Sequence, residues 1–165
     1  MDKEFDFKLP SYNEIPGVGL FLEQVSKYIN EYLAPLGNQE LTGSMISNYV
    51  KKDIIDNPVK KQYNRDQIAY LIFIAIAKIA LSLEDINELL KLQKQVCGAE
   101  RAYEYFVKDF QMTLDSVFEG TKLPDIPEST NKDKVNVKKL TRILSITVAH
   151  KIYLDMSVAK IKNAE

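Results

Sequence analysis

Between Ser44 and Ile68 the chain reads SMISNYVKKDIIDNPVKKQYNRDQI, and here its most chemically pointed side chains are gathered. Over residues 42–65, Lys51, Lys52, Lys60, Lys61 and Arg65 bring five cations against two acids, Asp53 and Asp56. Cations in this density are the means of holding phosphate, lysine as a point charge and arginine as a planar fork. Ser44, Ser47 and Asn48 add short hydrogen-bonding groups, and asparagine can engage an adenine edge through two bonds. Asn48 could as readily bond the turn that follows. Tyr49 and Tyr63 carry hydroxyls suited to phosphate, although Tyr49 could equally be core, since Met45 lies one turn before it.

Covalent chemistry is poorly provided for. His150 is the sole histidine, set among Ile146, Ala149 and Tyr153, and Cys97 is the sole cysteine. Neither has a neighbour at ligand or general-base spacing, so both are expected to pack. Glu84, Asp85 and Glu88 start a helical pattern, where acids favour the helix dipole and a solvated face. With no phosphate-cradling glycine loop and no triad pattern, the expectation is a non-enzyme with neither metal nor cofactor. One cysteine cannot form an intramolecular disulfide, and MDKEFDFKLP lacks a signal-peptide pattern, so a cytoplasmic protein is expected. The apolar run from Ile68 to Leu81 is broken by Lys78 and falls short of the roughly 20 residues a membrane span needs.

The elements that would position the basic cluster follow from periodicity. At 165 residues, 45% hydrophobic and 27% charged, the chain is long and apolar enough for a buried core. Residues 1–19, with Pro10, Pro16, Gly17 and Gly19, read as an extended lead-in. Phe21, Val25, Tyr28, Ile29, Tyr32 and Leu36 recur on one helical face, predicting a helix over 20–33 that Pro35 and Gly37 stop. A short helix is expected over 44–52, capped by Ser44 or Thr42. The stretch 53–63 has no helical period, and Asn57–Pro58 marks a turn. Asn64 and Gln67 form a capping box for a helix running to about Leu81, and Ser82 with Asp85 repeats the device. Gly98 interrupts a helical pattern that continues to about Phe118. Gly120 to about Lys134 reads as a polar linker, and 135–161 as a helix with some strand character in RILSITVAH. The division expected is a lead-in at 1–19, a unit at 20–95 and a helical region at 98–165 for dimerisation or effector sensing, with one compact domain spanning the last two as the alternative.

Charge alternates along this plan. Residues 1–41 and 66–131 are acidic, whereas 42–65 and 132–164 are basic. The second basic segment holds Lys132, Lys134, Lys138, Lys139 and Arg142. These could face DNA too, but pairing with acids of residues 84–119, or with a partner subunit, is the expected arrangement.

The order of short helix, basic turn, capped helix and second capped helix is similar to the DNA-binding domain of the MerR family. Tyr49 matches a recognition-helix tyrosine, Ile54–Ile55 and Pro58 the turn, Tyr63 the end of the wing, and Leu81–Ile86 the joint between two helices. Ser47 stands where that family usually has arginine, and Asp53 where it has a turn glycine. The chain resembles still more closely a bacterial family of unknown function, number 1836 among such domains. The resemblance is carried by Leu9–Pro10–Ser11, Ile15–Pro16, Gln24–Val25, Tyr28–Asn30, residues 45–52, residues 60–71 and His150–Tyr153. It implies a mainly α protein, a MerR-like winged helix-turn-helix with a small two-stranded wing, followed by an additional C-terminal helical region. It further implies a transcription regulator that binds double-stranded DNA. Separately, the helix over 140–156, apolar on several faces, needs something to pack against, and a homodimer interface is the natural candidate. Helix 44–52 would enter the major groove and residues 54–63 would form the wing. Ser44, Ser47, Asn48, Tyr49, Lys51, Lys52, Lys60, Lys61, Tyr63 and Arg65 would touch DNA. The alternative is a protein-interaction module that keeps the fold without DNA. The sequence leaves open whether a small molecule is sensed.

Overall fold

A computed structural model describes residues 5–37, 40–126 and 132–164, with side chains from residue 137 onward in the last segment. Two short strands, β1 (Leu20–Phe21) and β2 (Gln62–Tyr63), pair antiparallel, with Leu20 opposite Tyr63 and Phe21 opposite Gln62. Six helices make up most of the remainder: α1 (Leu22–Leu33), α2 (Gly43–Lys51), α3 (Arg65–Ala77), α4 (Leu83–Lys94), α5 (Ala99–Glu119) and α6 (Lys132–Asn163). The protein is therefore mainly helical with a two-stranded sheet.

Helix α3 is the hub. Its sequence is apolar all round, which suits a helix buried on every side. Ile68, Leu71, Ile72, Ile74 and Ile76 are each at most 1% exposed, and α3 touches α1, α4, α5 and α6. The capping box holds its start as expected: Asn64 Oδ1 accepts from Gln67 N at 2.9 Å, and Gln67 Oε1 accepts from Asn64 N at 2.7 Å. Its end differs. The helix stops at Ala77, and residues 78–81 form a turn closed by Leu81 N donating to Ala77 O at 2.9 Å. Ser82 then caps α4, accepting from Asp85 N at 3.1 Å.

The first helix also starts later than its periodicity predicts. Leu20 and Phe21 are strand, and Phe21, expected on the buried face, is half exposed. Val25, Ile29 and Leu33 carry the buried face instead. Segment 135–161 is helical throughout, within α6, and α6 packs along α5 more extensively than any other pair of elements. Of the expected linker, residues 127–131 lie outside the described residues, and Lys132 to Lys134 already belong to α6.

The lead-in is a strap rather than a free arm. Phe7, Leu9 and Ile15 are buried, and Phe7 meets Phe110 edge to face at 6.1 Å between centroids. Tyr103 Oη donates to the Pro10 carbonyl at 2.7 Å, across 93 residues of sequence. Tyr12 Oη donates to Asp66 at 2.6 Å, and that carboxylate, with some burial, pushes the phenol up to about 12. One hydrophobic core thus runs from Phe7 through α3 to Ile152 in α6, joining the two units expected from sequence.

Candidate nucleic-acid interface

Helix α2 sorts its side chains by helical period. Thr42 caps it, accepting from Met45 N at 3.2 Å. Ile46 and Tyr49 turn inward, while Ser44, Ser47, Asn48 and Lys51 lie exposed along the opposite stripe at i, i+3, i+4 and i+7. No acidic side chain interrupts that stripe.

The end of α2 explains Asp53. Ile54 N donates to Tyr49 O, and Asp53 N to Val50 O, both at 3.0 Å. These are the two bonds of a Schellman ending, which requires a left-handed residue between them. Asp53 fills it at φ 56°, a conformation that aspartate tolerates better than most residues. Ile54 and Ile55 then plug into the core at 4% and 3% exposure. Gln67, besides its capping bond, donates from Nε2 to the carbonyls of Asp56 and Asn57 at 2.9 and 3.3 Å. So α3 grips the connector from below. The spacing of the capping box exposed the first role of Gln67, and nothing in the sequence announced the second.

Beyond the connector the chain makes a minimal hairpin. Val59 and Gln62 exchange two backbone bonds, 3.1 and 2.9 Å, around a two-residue loop of Lys60 and Lys61. Both loop residues have positive φ, 49° and 64°. That pair of signs marks a type I′ turn, where Asn-Gly is the favoured sequence. Each lysine there costs on the order of 1–2 kcal/mol. The expected wing over 54–63 is thus smaller: residues 54–58 are not strand, and β2 takes its partner from β1. Gly19 eases that pairing, because a Cβ there would stand 2.8 Å from Gln62 Cβ.

Seven of the ten candidate side chains are exposed: Ser44, Ser47, Asn48, Lys51, Lys52, Lys60 and Lys61. Among the described residues, none of these four lysines has a carboxylate within the 4.0 Å of an ion pair. Three candidates need correction. Tyr49 is 1% exposed, packed beside Ile46 on the inner face of α2, and Tyr63 is 4% exposed at the strand pairing, where burial pushes its hydroxyl pKa up. Neither hydroxyl is presented to solvent phosphate. Arg65 is turned toward the strap: its Nε donates to the Ile15 carbonyl at 2.9 Å and its guanidinium carbon sits 5.3 Å from the Tyr12 ring centre.

In the second basic segment, Arg142 is 6% exposed. Its Nε donates to Asp109 Oδ1 at 2.5 Å, and it also donates to the Asp125 carbonyl. Pairing within the fold, the arrangement expected from sequence, is what Arg142 adopts. Lys138 lies over the Tyr105 ring at 5.4 Å, while the side chains of Lys132 and Lys134 lie outside the described residues.

The family described as Domain of unknown function (DUF1836) matches residues 10–106. The chain belongs to it. No curated protein and no solved structure is significantly similar. The DUF1836 match runs from the strap at Pro10 to Phe106 in the first half of α5, and so takes in α2, the lysine hairpin, α3 and α4. Among the described residues, no group of three His, Cys, Asp or Glu side chains could hold a metal, and no helix is long and apolar enough to cross a membrane.

Proposed function

We propose that this protein is a sequence-specific DNA-binding transcription regulator with a MerR-like winged helix-turn-helix. Helix α2 would lie in the major groove and the Lys60–Lys61 tip on flanking phosphates. The observation that carries this reading is the hairpin tip, where two adjacent lysines hold a backbone conformation they disfavour, exposed to solvent and without ionic partners among the described residues. Such local strain persists where position matters more than comfort. The acid-free outer stripe of α2 supports it. The contact set becomes Ser44, Ser47, Asn48, Lys51, Lys52, Lys60 and Lys61, with Asn48 the best-suited base reader.

A two-fold dimer is part of this proposal. Along α6, Leu140, Ile143, Thr147, His150, Leu154 and Ile161 are exposed at the 3–4 spacing of a coiled-coil seam, opposite the face packed on α5. A second copy meeting that seam would present two recognition helices to a palindromic site. Leu154→Glu should convert dimer to monomer in sedimentation equilibrium.

Selection of bound fragments from random-sequence DNA at stated salt tests the main claim. Replacing Lys51, Lys52, Lys60 and Lys61 by Ala should weaken binding to all sequences and lower the salt slope by about 0.9 per lost phosphate contact. Asn48→Ala should instead relax sequence preference. No binding to any fragment at about 50 mM salt would sink the idea. The α6 seam favours a second reading, a protein-interaction module that keeps the fold without DNA, and a seam-dependent dimer with no DNA affinity selects it.

A further inference from the structure

A cavity of about 290 Å³ opens where α3, α4, α5 and α6 converge, with none of the DNA-facing candidates in its wall. Tyr70 and Phe73 from α3, Leu89 from α4, Tyr105 and Phe106 from α5, and Leu144 from α6 form its main surfaces. The small side chains of Ala69, Ala99 and Ala102 also line it, together with Val96 and Cys97 of the α4–α5 connection. Its volume sits at the lower end of the range for small-molecule sites.

The polar groups of the wall are unequal. Tyr70 Oη donates to Gln93 Oε1 at 3.0 Å, Gln93 Nε2 to the Cys97 carbonyl at 2.9 Å, and Thr141 Oγ1 to the Val137 carbonyl at 2.8 Å. All three side chains are satisfied by the protein. Tyr105 Oη is not: it is buried and has no hydrogen-bond partner among the described residues. A buried donor left in that state is costly, and an acceptor brought by a ligand would relieve it. Charge points the same way. The wall includes Lys138 and Arg101 and no acidic residue, and Lys138 Nζ stands 5.4 Å from the Tyr105 ring centre. Lys94 Nζ lies 5.0 Å over the Tyr70 ring, so ammonium groups flank two lining aromatics. Asp109, one turn along α5 from Tyr105, is outside the wall; Arg142 engages its Oδ1, while its buried Oδ2 has no hydrogen-bond partner among the described residues and its charge reaches the Tyr105 hydroxyl.

We infer that this cavity binds a small amphipathic organic acid, its apolar body among the aromatic rings and its anionic head between the Tyr105 hydroxyl and the Lys138 ammonium. Aromatic and aliphatic acids share that chemistry. Because the wall draws on all four helices of this half of the molecule, an occupant would tie α3 and α4 to α5 and α6. The site does not depend on the DNA reading.

Calorimetry on the full chain without DNA tests it, with 2-naphthoate, decanoate, neutral 2-naphthamide and cationic 2-naphthylmethylamine as probes. At least one of the two acids should bind with a Kd on the order of tens of micromolar, and the tighter one identifies the body. The amide should bind roughly tenfold more weakly, and the amine not at all. Tyr105→Phe should leave the free protein as stable or more so while weakening the acid about fivefold, and Lys138→Glu should weaken it more. Amide NMR shifts should cluster in residues 92–106. The inference fails if neither acid binds at about 1 mM, if the amide matches the acid, or if both substitutions leave affinity unchanged.

Discussion

Two segments of this chain are rich in cations, and folding answers individual charges in them differently. In residues 42–65, Lys51, Lys52, Lys60 and Lys61 stand in solvent without ionic partners among the described residues, two of them in left-handed backbone. In residues 132–164, Arg142 is drawn into the core onto Asp109, Lys138 lies across an aromatic ring, and Lys151 pairs with Asp155 at 2.5 Å, while Lys139, Lys160 and Lys162 are exposed without an ion pair among the described residues. The difference is one of desolvation. Taking a guanidinium out of water costs several kcal/mol unless a counter-charge and further acceptors meet it, and Asp109 with the Asp125 carbonyl do so. Among the described residues, no such answer is built around the four lysines. A positive run is therefore a candidate binding surface only where the fold leaves its charges unanswered.

The sharpest way to break this contrast is to strip one side of the buried pair. Arg142→Ala should destabilise the protein by about 3–5 kcal/mol, because Asp109 would remain at 3% exposure without its cation. Replacing both partners together, Asp109→Leu with Arg142→Met, should recover most of that loss. Urea unfolding midpoints at constant slope measure both. A loss below about 1 kcal/mol for Arg142→Ala would make the pair no different from a surface lysine.

A second experiment sharpens the other half of the contrast by separating fold from charge. Lys60→Asn with Lys61→Gly supplies the sequence that the hairpin turn favours, and should stabilise the protein by about 1–2 kcal/mol. The same double change removes two cations from the proposed contact set, so the salt slope of DNA binding should fall by about 2. Stability up with DNA binding down is the signature of a strained functional tip. Both quantities moving together, or DNA binding unchanged, would return the lysines to the role of solvated loop residues.

What the sequence disclosed and withheld follows from the range of each interaction. The caps at Asn64–Gln67 and Ser82, and the fitness of Asp53 for a left-handed turn, involve residues a few positions apart, and all are found in place. Strand β1 was illegible, since two residues have no period and Leu20 finds its partner at Tyr63. The strap was hidden for the same reason, as its anchor runs from Tyr103 to Pro10. The end of α3 falls before the point its periodicity predicts, because Ile79, Ala80 and Leu81 continue an apolar pattern after the helix has turned. At the candidate site, the period that exposes Ser44, Ser47, Asn48 and Lys51 was readable. Arg65 looked like its lysine neighbours, and only the folded strap shows its guanidinium engaged.

Tyr49 gives the smallest predicted effect and separates the two surfaces of α2. Its side chain is 1% exposed, its hydroxyl has no hydrogen-bond partner among the described residues, and Lys78 Nζ stands 5.6 Å from its ring centre. A phenol in that position contributes its ring to the core and an unanswered polar atom to the balance. Tyr49→Phe keeps the ring and deletes the atom, so stability should stay level or rise by up to about 1 kcal/mol. DNA affinity and sequence preference should not move, in contrast to Asn48→Ala one residue earlier on the exposed stripe. A loss of DNA affinity in Tyr49→Phe would mean that the hydroxyl swings out to phosphate, and α2 would then have no clean division between an inner and an outer face.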